Sequence, residues 1–511
     1  DLQTAGYHAT VATVDQVNAG THAAGDVIIT RAHIPDETIT TDTTSATTTI
    51  GAALSMTPTK AGAEFQVNTH TNGEQRAPVV ANLVNGGFVV AWGDQSNADG
   101  SGNGVFGQMY DAFGNTVGSE FQINTHINSN QRYPSISGLS DGGFVVTWHS
   151  ISQDGDDDGV FGQRYDASGN ASGPEFQINT HTTSYQQFSS VTSLNDGGFV
   201  VTWHSDQDGG WGVYGQRFDS SGNASGAEFK INSTSTNYLL YPSVSGFSDG
   251  GFIATWYGHG DKDTNGDGVY GQRYDQYGNT IGSEFLINTE KSGNQIQPAV
   301  TALSNGGFVA TWTSAGQDAN GEGVYAQRYN ASGEKDGSEF RVNTDQNGDE
   351  RYSEVTSLTD GGYVVTWYSN THTDDTNYGV HGQRFDASGA AVGSQFLVNS
   401  TTTNAQIYPM IAALADSGFV VTWQSYLQDG SNYGIHAQRF ASPTPSGTVT
   451  TTDHTVSTVT GSTTGEAPFG SDVSFGVGGK TLTLDLSAHY DGSTNDYYGA
   501  AEAIAAAING D

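Results

Sequence analysis

The chain has 511 residues, and 54 acidic against 17 basic side chains give a formal net charge of −37. Six Lys and 11 Arg, scattered along the chain, cannot neutralise a phosphate backbone or anionic headgroups, so nucleic-acid binding and a polybasic membrane anchor are excluded and cation partners are favoured. The absence of cysteine removes disulfide frameworks, thiolate zinc sites and cysteine nucleophiles, while 69 glycines and only 14% charged residues point to a turn-rich all-β chain.

Aromatic residues at 11%, with many Val and Ile, carry enough apolar surface to offset chain entropy. No apolar run approaches the roughly 18 residues of a membrane helix, so no such insertion is expected. The sequence opens at Asp1 with neither Met nor a signal segment, which reads as a processed product or a piece of a longer protein.

Residues 1–58 are rich in Thr and Ala, with one expected strand at Asp26-Val27-Ile28-Ile29-Thr30. Residues 59–441 are repetitive. Trp92, Trp148, Trp203, Trp256, Trp312, Trp367 and Trp423 recur at spacings of 56, 55, 53, 56, 55 and 56 residues, each closing a segment such as Gly143-Phe144-Val145-Val146-Thr147-Trp148. Each unit supplies four short β-rich segments: Tyr133-Pro134-Ser135-Ile136 (a), the Trp segment (b), Gly159-Val160-Phe161-Gly162-Gln163-Arg164 (c) and Glu175-Phe176-Gln177-Ile178-Asn179 (d). Asp-Gly, Gly-Gly and Ser-Gly-Asn turns separate them, and no helical period intervenes.

Seven four-stranded units predict a seven-bladed β-propeller; the rungs of a β-helix, the competing repeat fold, are far shorter than this period. The seventh unit ends after c, at Gln438-Arg439-Phe440, while Glu64-Phe65-Gln66-Val67-Asn68 precedes the first a strand. The N-terminal d segment is therefore expected to complete the last blade and close the ring. Residues 442–511 begin with a Pro/Thr/Ser linker, continue through expected strands at Val473-Ser474-Phe475-Gly476-Val477 and from Lys480 to Leu486, and end in an Ala-rich expected helix from Gly499 to Ile508. The two flanks are expected to pair into one small α+β domain.

The repeat, in the form Glu-Phe-Gln-Ile-Asn-Thr-His, Asp-Gly-Gly-Phe-Val-Val-Thr-Trp and Gly-Val-Phe-Gly-Gln-Arg-Tyr-Asp, resembles arrays in large secreted hemolysin-type calcium-binding and adhesin proteins of Gram-negative bacteria. The segments Gly479-Lys480-Thr481-Leu482-Thr483-Leu484-Asp485-Leu486 and Ala503-Ile504-Ala505-Ala506-Ala507-Ile508-Asn509 are similar to surface-domain segments of bacterial flagellins and related filament proteins. The heptad-rich helices that polymerise a flagellin do not occur in this chain.

Candidate chemistry sits in the b–c loops, which end at a glycine with alternating oxygen side chains ahead of it. The pattern suits Ca²⁺, which takes six to eight oxygen ligands and tolerates a sharp glycine turn. Asp154, Asp156 and Asp158 in the second loop, and Asp261, Asp263, Asn265 and Asp267 in the fourth, fit best. Neither has the downstream Glu of an EF-hand, since the twelfth position falls on Tyr165 and Gln272, and turn capping by Asp and Asn is the alternative. His70, His126 and His181 recur after strand d on separate blades and read as loop surface rather than zinc ligands.

The c-strand arginines (Arg164, Arg217, Arg273, Arg328, Arg384 and Arg439) are expected to pair with the d-strand glutamates (Glu120, Glu175, Glu228, Glu284 and Glu339) as scaffolding. No hydrolase elbow, phosphate loop or dinucleotide fingerprint is present. Only Asp157 and Asp261 are read as acids that depart from their repeat counterparts.

The leading expectation is a non-enzymatic extracellular bacterial surface or filament module used for adhesion or spacing, partnered by a surface glycan, a protein ligand or sister subunits. A carbohydrate-binding propeller using Trp211 and Tyr378 is the alternative, and a polysaccharide-cleaving enzyme the third reading.

Overall fold

A computed structural model describes residues 57–441, apart from 234–237, 260–261, 264, 319–320, 346–347 and 371–376, together with 459–460, 473–477 and 480–484. Residues 57–442 form one compact unit. Its described residues are all-β and make a seven-bladed propeller with four strands per blade.

The second blade shows the plan: Gln131–Gly138, Phe144–Ile151, Asp158–Tyr165 and Phe176–Gln177 run antiparallel in consecutive order as strands a to d. Strand b is buried along nearly its whole length because both faces of each sheet are covered by neighbouring blades. Its two-residue period divides the work. Phe144, Val146 and Trp148 pack with Val89 and Ala91 of the first blade, while Val145 packs with Phe199, Val201 and Trp203 of the third. All seven tryptophans are buried in this way, one per interface.

The Asp-Gly-Gly turn between a and b follows from geometry. Gly142 has φ of +89°, and a Cβ on Gly143 would stand 2.1 Å from the Tyr165 carbonyl oxygen of strand c. Other side chains at both positions would force the hairpin apart.

The ring closes as the sequence implies. Thr59–Lys60 and Phe65–Gln66 both pair antiparallel with Tyr433–Ala441, with Thr59 opposite Ala441 and Phe65 opposite Ala437. A circle of latches reinforces each blade junction. Thr69, Thr125 and Thr180 donate their backbone N–H to Glu120, Glu175 and Glu228 of the next blade at 2.6, 2.6 and 2.7 Å. Ser233, Thr289 and Thr344 do the same to Glu284, Glu339 and Gln395. Ser400 completes the circle by donating to Glu64, more than 300 residues earlier in the chain.

These latches correct the expected Arg–Glu scaffolding pairs. The d-strand glutamates are engaged by the preceding blade, and the arginines turn to the opposite end of the sheet. Arg164, Arg217 and Arg439 bind the a–b turn acids Asp141, Asp196 and Asp416 at 3.1, 3.1 and 3.2 Å, and Arg384 binds Asp360. Arg273 donates to the Ala331 carbonyl of the next blade. The long guanidinium stem reaches a turn that a strand-to-strand pairing argument does not consider.

Strand a lies innermost, where each a strand packs against the a strands of both neighbouring blades. Its outward-facing N–H groups find acceptors on the preceding blade. Ser135, Ser190 and Ser243 Oγ accept from Val191, Val244 and Val300, and Ser137, Thr192, Ser245, Thr301 and Thr356 hydroxyls serve the next register.

The C-terminal flank contributes a three-stranded antiparallel sheet of its own, Val459–Thr460, Val473–Val477 and Lys480–Leu484. The expected strands at 473 and 480 are therefore present. The expected strand at 26–30 and the expected helix at 499–508 lie outside the described residues.

Candidate functional site: an aromatic collar around the axis

Each inner strand carries a bulge between its second and fifth residues, recorded as a register shift such as Arg132/Ser135. The third residue takes a left-handed backbone in every blade: Ala77, Tyr133, Phe188, Tyr241, Gln297, Tyr352 and Tyr408 have φ between 49° and 55°. Non-glycine residues avoid this region, at a cost of about 1–3 kcal/mol each. Seven coincident outliers in one register mark a conformation that the surrounding ring imposes.

The bond that holds it is visible in several blades. The N–H of Ala77 donates to Gln424 Oε1 at 2.7 Å, that of Tyr241 to His204 Nδ1 at 3.1 Å, and that of Tyr352 to Thr313 Oγ1 at 3.1 Å. Each acceptor directly follows the buried Trp on the preceding blade.

The collar stands at the end where the d–a and b–c loops meet, because Gln131 at the start of strand a pairs with Ser150 at the end of strand b. Five of its seven members are aromatic, and their rings touch. Tyr133 and Phe188 lie 4.7 Å apart, Phe188 and Tyr241 4.4 Å, and Tyr352 and Tyr408 4.5 Å between centroids. Burial, and then the neighbouring phenols of Tyr133 and Tyr408, push Tyr241 up to about 12.

A second tier of aromatic and imidazole rings supports the first. His149 lies 5.2 Å from Tyr133, His204 5.3 Å from Phe188, Tyr257 5.8 Å from Tyr241, and Tyr368 5.6 Å from Tyr352. Burial drives His149 and His204 down to about 3, so both are neutral at ordinary pH, and His204 Nδ1 accepts the Tyr241 N–H. The two aromatic residues singled out from sequence are the outer members of this belt. Trp211 stands edge-on to His204 at 4.9 Å, and Tyr378 edge-on to Tyr368 at 5.7 Å.

Two acids on the inner strands break the symmetry. Glu354 lies on the sixth inner strand, two residues past Tyr352, where the other blades have Val79, Ser135, Ser190, Ser243, Ala299 and Met410. It is half-buried. Burial raises its carboxyl to about 8. Glu350 departs similarly, standing where five blades have a glutamine; it accepts from Asn343 Nδ2 at 3.0 Å and from Ser369 Oγ at 3.1 Å, and burial raises it to about 8. The reading that only Asp157 and Asp261 depart from their counterparts is thus corrected. Comparing the seven inner strands column by column exposes both glutamates, whereas scanning the loops does not.

The b–c loop acids are tied into the scaffold. Asn179 donates Nδ2 to Asp154 at 3.2 Å, to Gln186 at 3.1 Å and to the His181 carbonyl at 2.7 Å, and it accepts the Val160 N–H at 2.7 Å. Asn288 repeats this around Asp263. Asp156 accepts from the Ser184 N–H at 3.0 Å, Asp158 binds Gln187, Asp267 binds His259, and the Asn265 N–H donates to Asp263 at 3.2 Å. Asp261 lies outside the described residues. Among the described residues no three His, Asp or Glu side chains gather around a point that a metal ion could fill. Asp154 Oδ1 and Asp158 Oδ1 are nevertheless buried without a protein donor. His70, His126 and His181 sit part-exposed on separate blades.

No protein-family model matches the chain, and no curated protein matches it. Among solved structures, it is similar to a protein of unknown function from Dyadobacter fermentans, with 11% identity over 75% of this chain and 98% of that one and a TM-score of 0.48. A fungal alcohol oxidase of the AA5 family in complex with copper has 13% identity, 82% and 84% coverage and a TM-score of 0.46. An α-L-arabinofuranosidase from Fusarium graminearum has 12% identity, 61% and 93% coverage and a TM-score of 0.42.

Proposed function

We propose that this protein is a non-enzymatic binding propeller of the bacterial cell exterior, displayed for adhesion, and that its ligand is a glycan held at the axial mouth. The observation that carries the reading is the collar: five aromatic side chains, each on a strained backbone, brought to one end of the inner strands. Strain of this kind persists where the structure around it over-determines the conformation, and it clusters at ligand sites. Aromatic faces with phenolic edges suit sugars, which present apolar C–H faces and a rim of hydroxyls.

The inner strands favour binding over glycoside cleavage. Hydrolysis draws on two carboxyl groups flanking the scissile bond. The seven inner strands contain only Glu350 and Glu354, and Glu350 is engaged by Asn343 and Ser369.

Calcium belongs to this reading as a stabiliser of the second b–c loop, where Asp154 and Asp158 each retain a buried, undonated oxygen. A glycan array probed with the intact chain tests the function. Retention of a glycan class that is lost in the Tyr241→Ala/Tyr352→Ala variant, with melting still cooperative, supports it. Equal retention by both proteins, or release of reducing sugar from a bound glycan, overturns it.

A further inference from the structure

The outer strands of the blades are not alike. Strand d is seven residues long in the first, fourth and sixth blades (Thr116–Gln122, Thr280–Leu286 and Ala391–Leu397) and two residues long in the second, third and fifth. The difference tracks one position. Val117, Ile281 and Val392 pair with strand c, whereas Ser172, Ser225 and Asp336 stand in their place where the strand is short.

An outermost strand leaves backbone donors and acceptors without a sheet partner, and proteins guard such edges with proline, lysine or a covering segment. Five of the seven edges are guarded in this way. Pro174 stands in the second, Lys230 ends the third, Lys335 and Asp336 occupy the fifth, and Lys60 ends a strand of the seventh. The sixth is covered by the chain itself, since a Cβ on Gly393 would stand 3.0 Å from Thr57 N, and Val392 is buried. A Cβ at the equivalent Gly118 or Gly282 would meet nothing within 4 Å.

The first and fourth edges carry apolar side chains instead. Phe113 and Tyr277, at the tips of the c–d turns, are 82% and 74% exposed, and Val117 and Ile281 are 46% and 41% exposed. The second, third, fifth and sixth blades have Ser168, Ser221, Ser332 and Ser388 at that tip. Residues 112–119 and 276–283 contain no charged side chain, and the adjoining Glu120 and Glu284 are engaged by Thr69 and Ser233 of the preceding blades. A bulge follows Val117 and Ile281, with Gly118 and Gly282 at φ of +71° and +70°, so backbone pairing with a further strand is short and the apolar side chains supply most of any contact.

The occupant that fits such an edge is the same edge on a second copy. Phe113-Gly-Asn-Thr-Val-Gly-Ser-Glu-Phe121 and Tyr277-Gly-Asn-Thr-Ile-Gly-Ser-Glu-Phe285 differ only in Phe for Tyr and Val for Ile, so either can meet either about a two-fold axis with like side chains in contact. The uncharged strip also lets two copies, each of net charge −37, approach without opposing carboxylates at the centre of the contact. Two blades separate the edges one way around the ring and three the other, which puts them on nearly opposite sides. We infer that copies of this chain associate side by side through the outer edges of the first and fourth blades, forming open rows. The inference is independent of the glycan reading.

Sedimentation velocity of the intact chain tests it. The weight-average mass should rise with protein concentration past that of a dimer, and rise further in high salt, which screens the repulsion between acidic copies. Phe113→Ser/Val117→Ser, which gives the first edge the residues of the second and third blades, should hold assembly at dimers, and adding Tyr277→Ser/Ile281→Ser should leave monomers. All four side chains are exposed, so each variant should melt with the parent. Thr116→Lys with Thr280→Lys, which copies Lys335 of the fifth edge, is the companion variant should the serine forms melt early, and it should also give monomers. A parent that stays monomeric at every concentration and salt overturns the inference, as does assembly undiminished in the fourfold variant or assembly that salt dissolves.

Discussion

Glu350→Gln should stabilise this protein, and by an amount that depends on pH. Five blades have a glutamine at this position, and its part is clear in Gln131, which accepts from Asn124 at 3.1 Å while its Nε2 donates to the Asn128 carbonyl at 3.0 Å and to Ser150 at 3.2 Å. Glu350 keeps the accepting half, through Asn343 and Ser369, but once ionised it is a buried charge near Asp318. Its carboxyl moves from the usual 4.5 to about 8, burial being the main cause. Below pH 4.5 the group is protonated in both folded and unfolded chains. Between 4.5 and 8 the unfolded chain releases the proton and the native state holds it, so stability falls as pH rises; above 8 the loss is complete. At about 1.4 kcal/mol per pH unit the full loss approaches about 5 kcal/mol, and relaxation around the site reduces it to about 2–5. Glutamine never ionises. In urea denaturation the variant should match the parent within about 1 kcal/mol at pH 5 and exceed it by about 2–5 kcal/mol at pH 9. A difference that is the same at both pH values would refute the reasoning.

The remaining expectations concern the frame and the loops. Trp203→Ala should cost about 3–5 kcal/mol, and Trp203→Phe markedly less, because the indole N–H has no protein acceptor among the described residues; equal costs by chemical denaturation would contradict this. Ala77→Gly should raise stability by up to about 1 kcal/mol, since φ of +50° is strained for alanine and free for glycine; a loss of stability would show that the collar backbone is unstrained. Calcium bound by the second loop should raise the melting temperature over that in chelator at matched ionic strength, equivalent to about 2.7 kcal/mol at a hundredfold excess over Kd, and Asp158→Asn should erase the rise. Identical melting curves would leave turn capping as the whole role of those acids.

The ring was legible because its code is periodic. The tryptophan spacing counts the blades, and the missing d segment after Phe440 together with the spare one at Glu64–Asn68 states how they close. The loop acids were legible as side chains but not as partners: nothing local says that Asn179, 25 residues after Asp154, will donate to it. The collar was hidden for a related reason. Tyr133 occupies a position that alternation reads as strand, yet a bulge turns it out of the pleat, and its ring partner Phe188 arrives from a blade 55 residues away. Glu354 needed a comparison of columns rather than of neighbours, since along the chain it is one acid among 54.

A crystal structure of the intact chain with the glycan retained on the array tests the central claim most directly. Ligand density is expected on the propeller axis, against Tyr241, Tyr352 and Tyr408, at the end formed by the d–a and b–c loops. Density confined to the outer cleft between Thr289, Gln317, Lys335 and Glu339, with the collar empty, would contradict it.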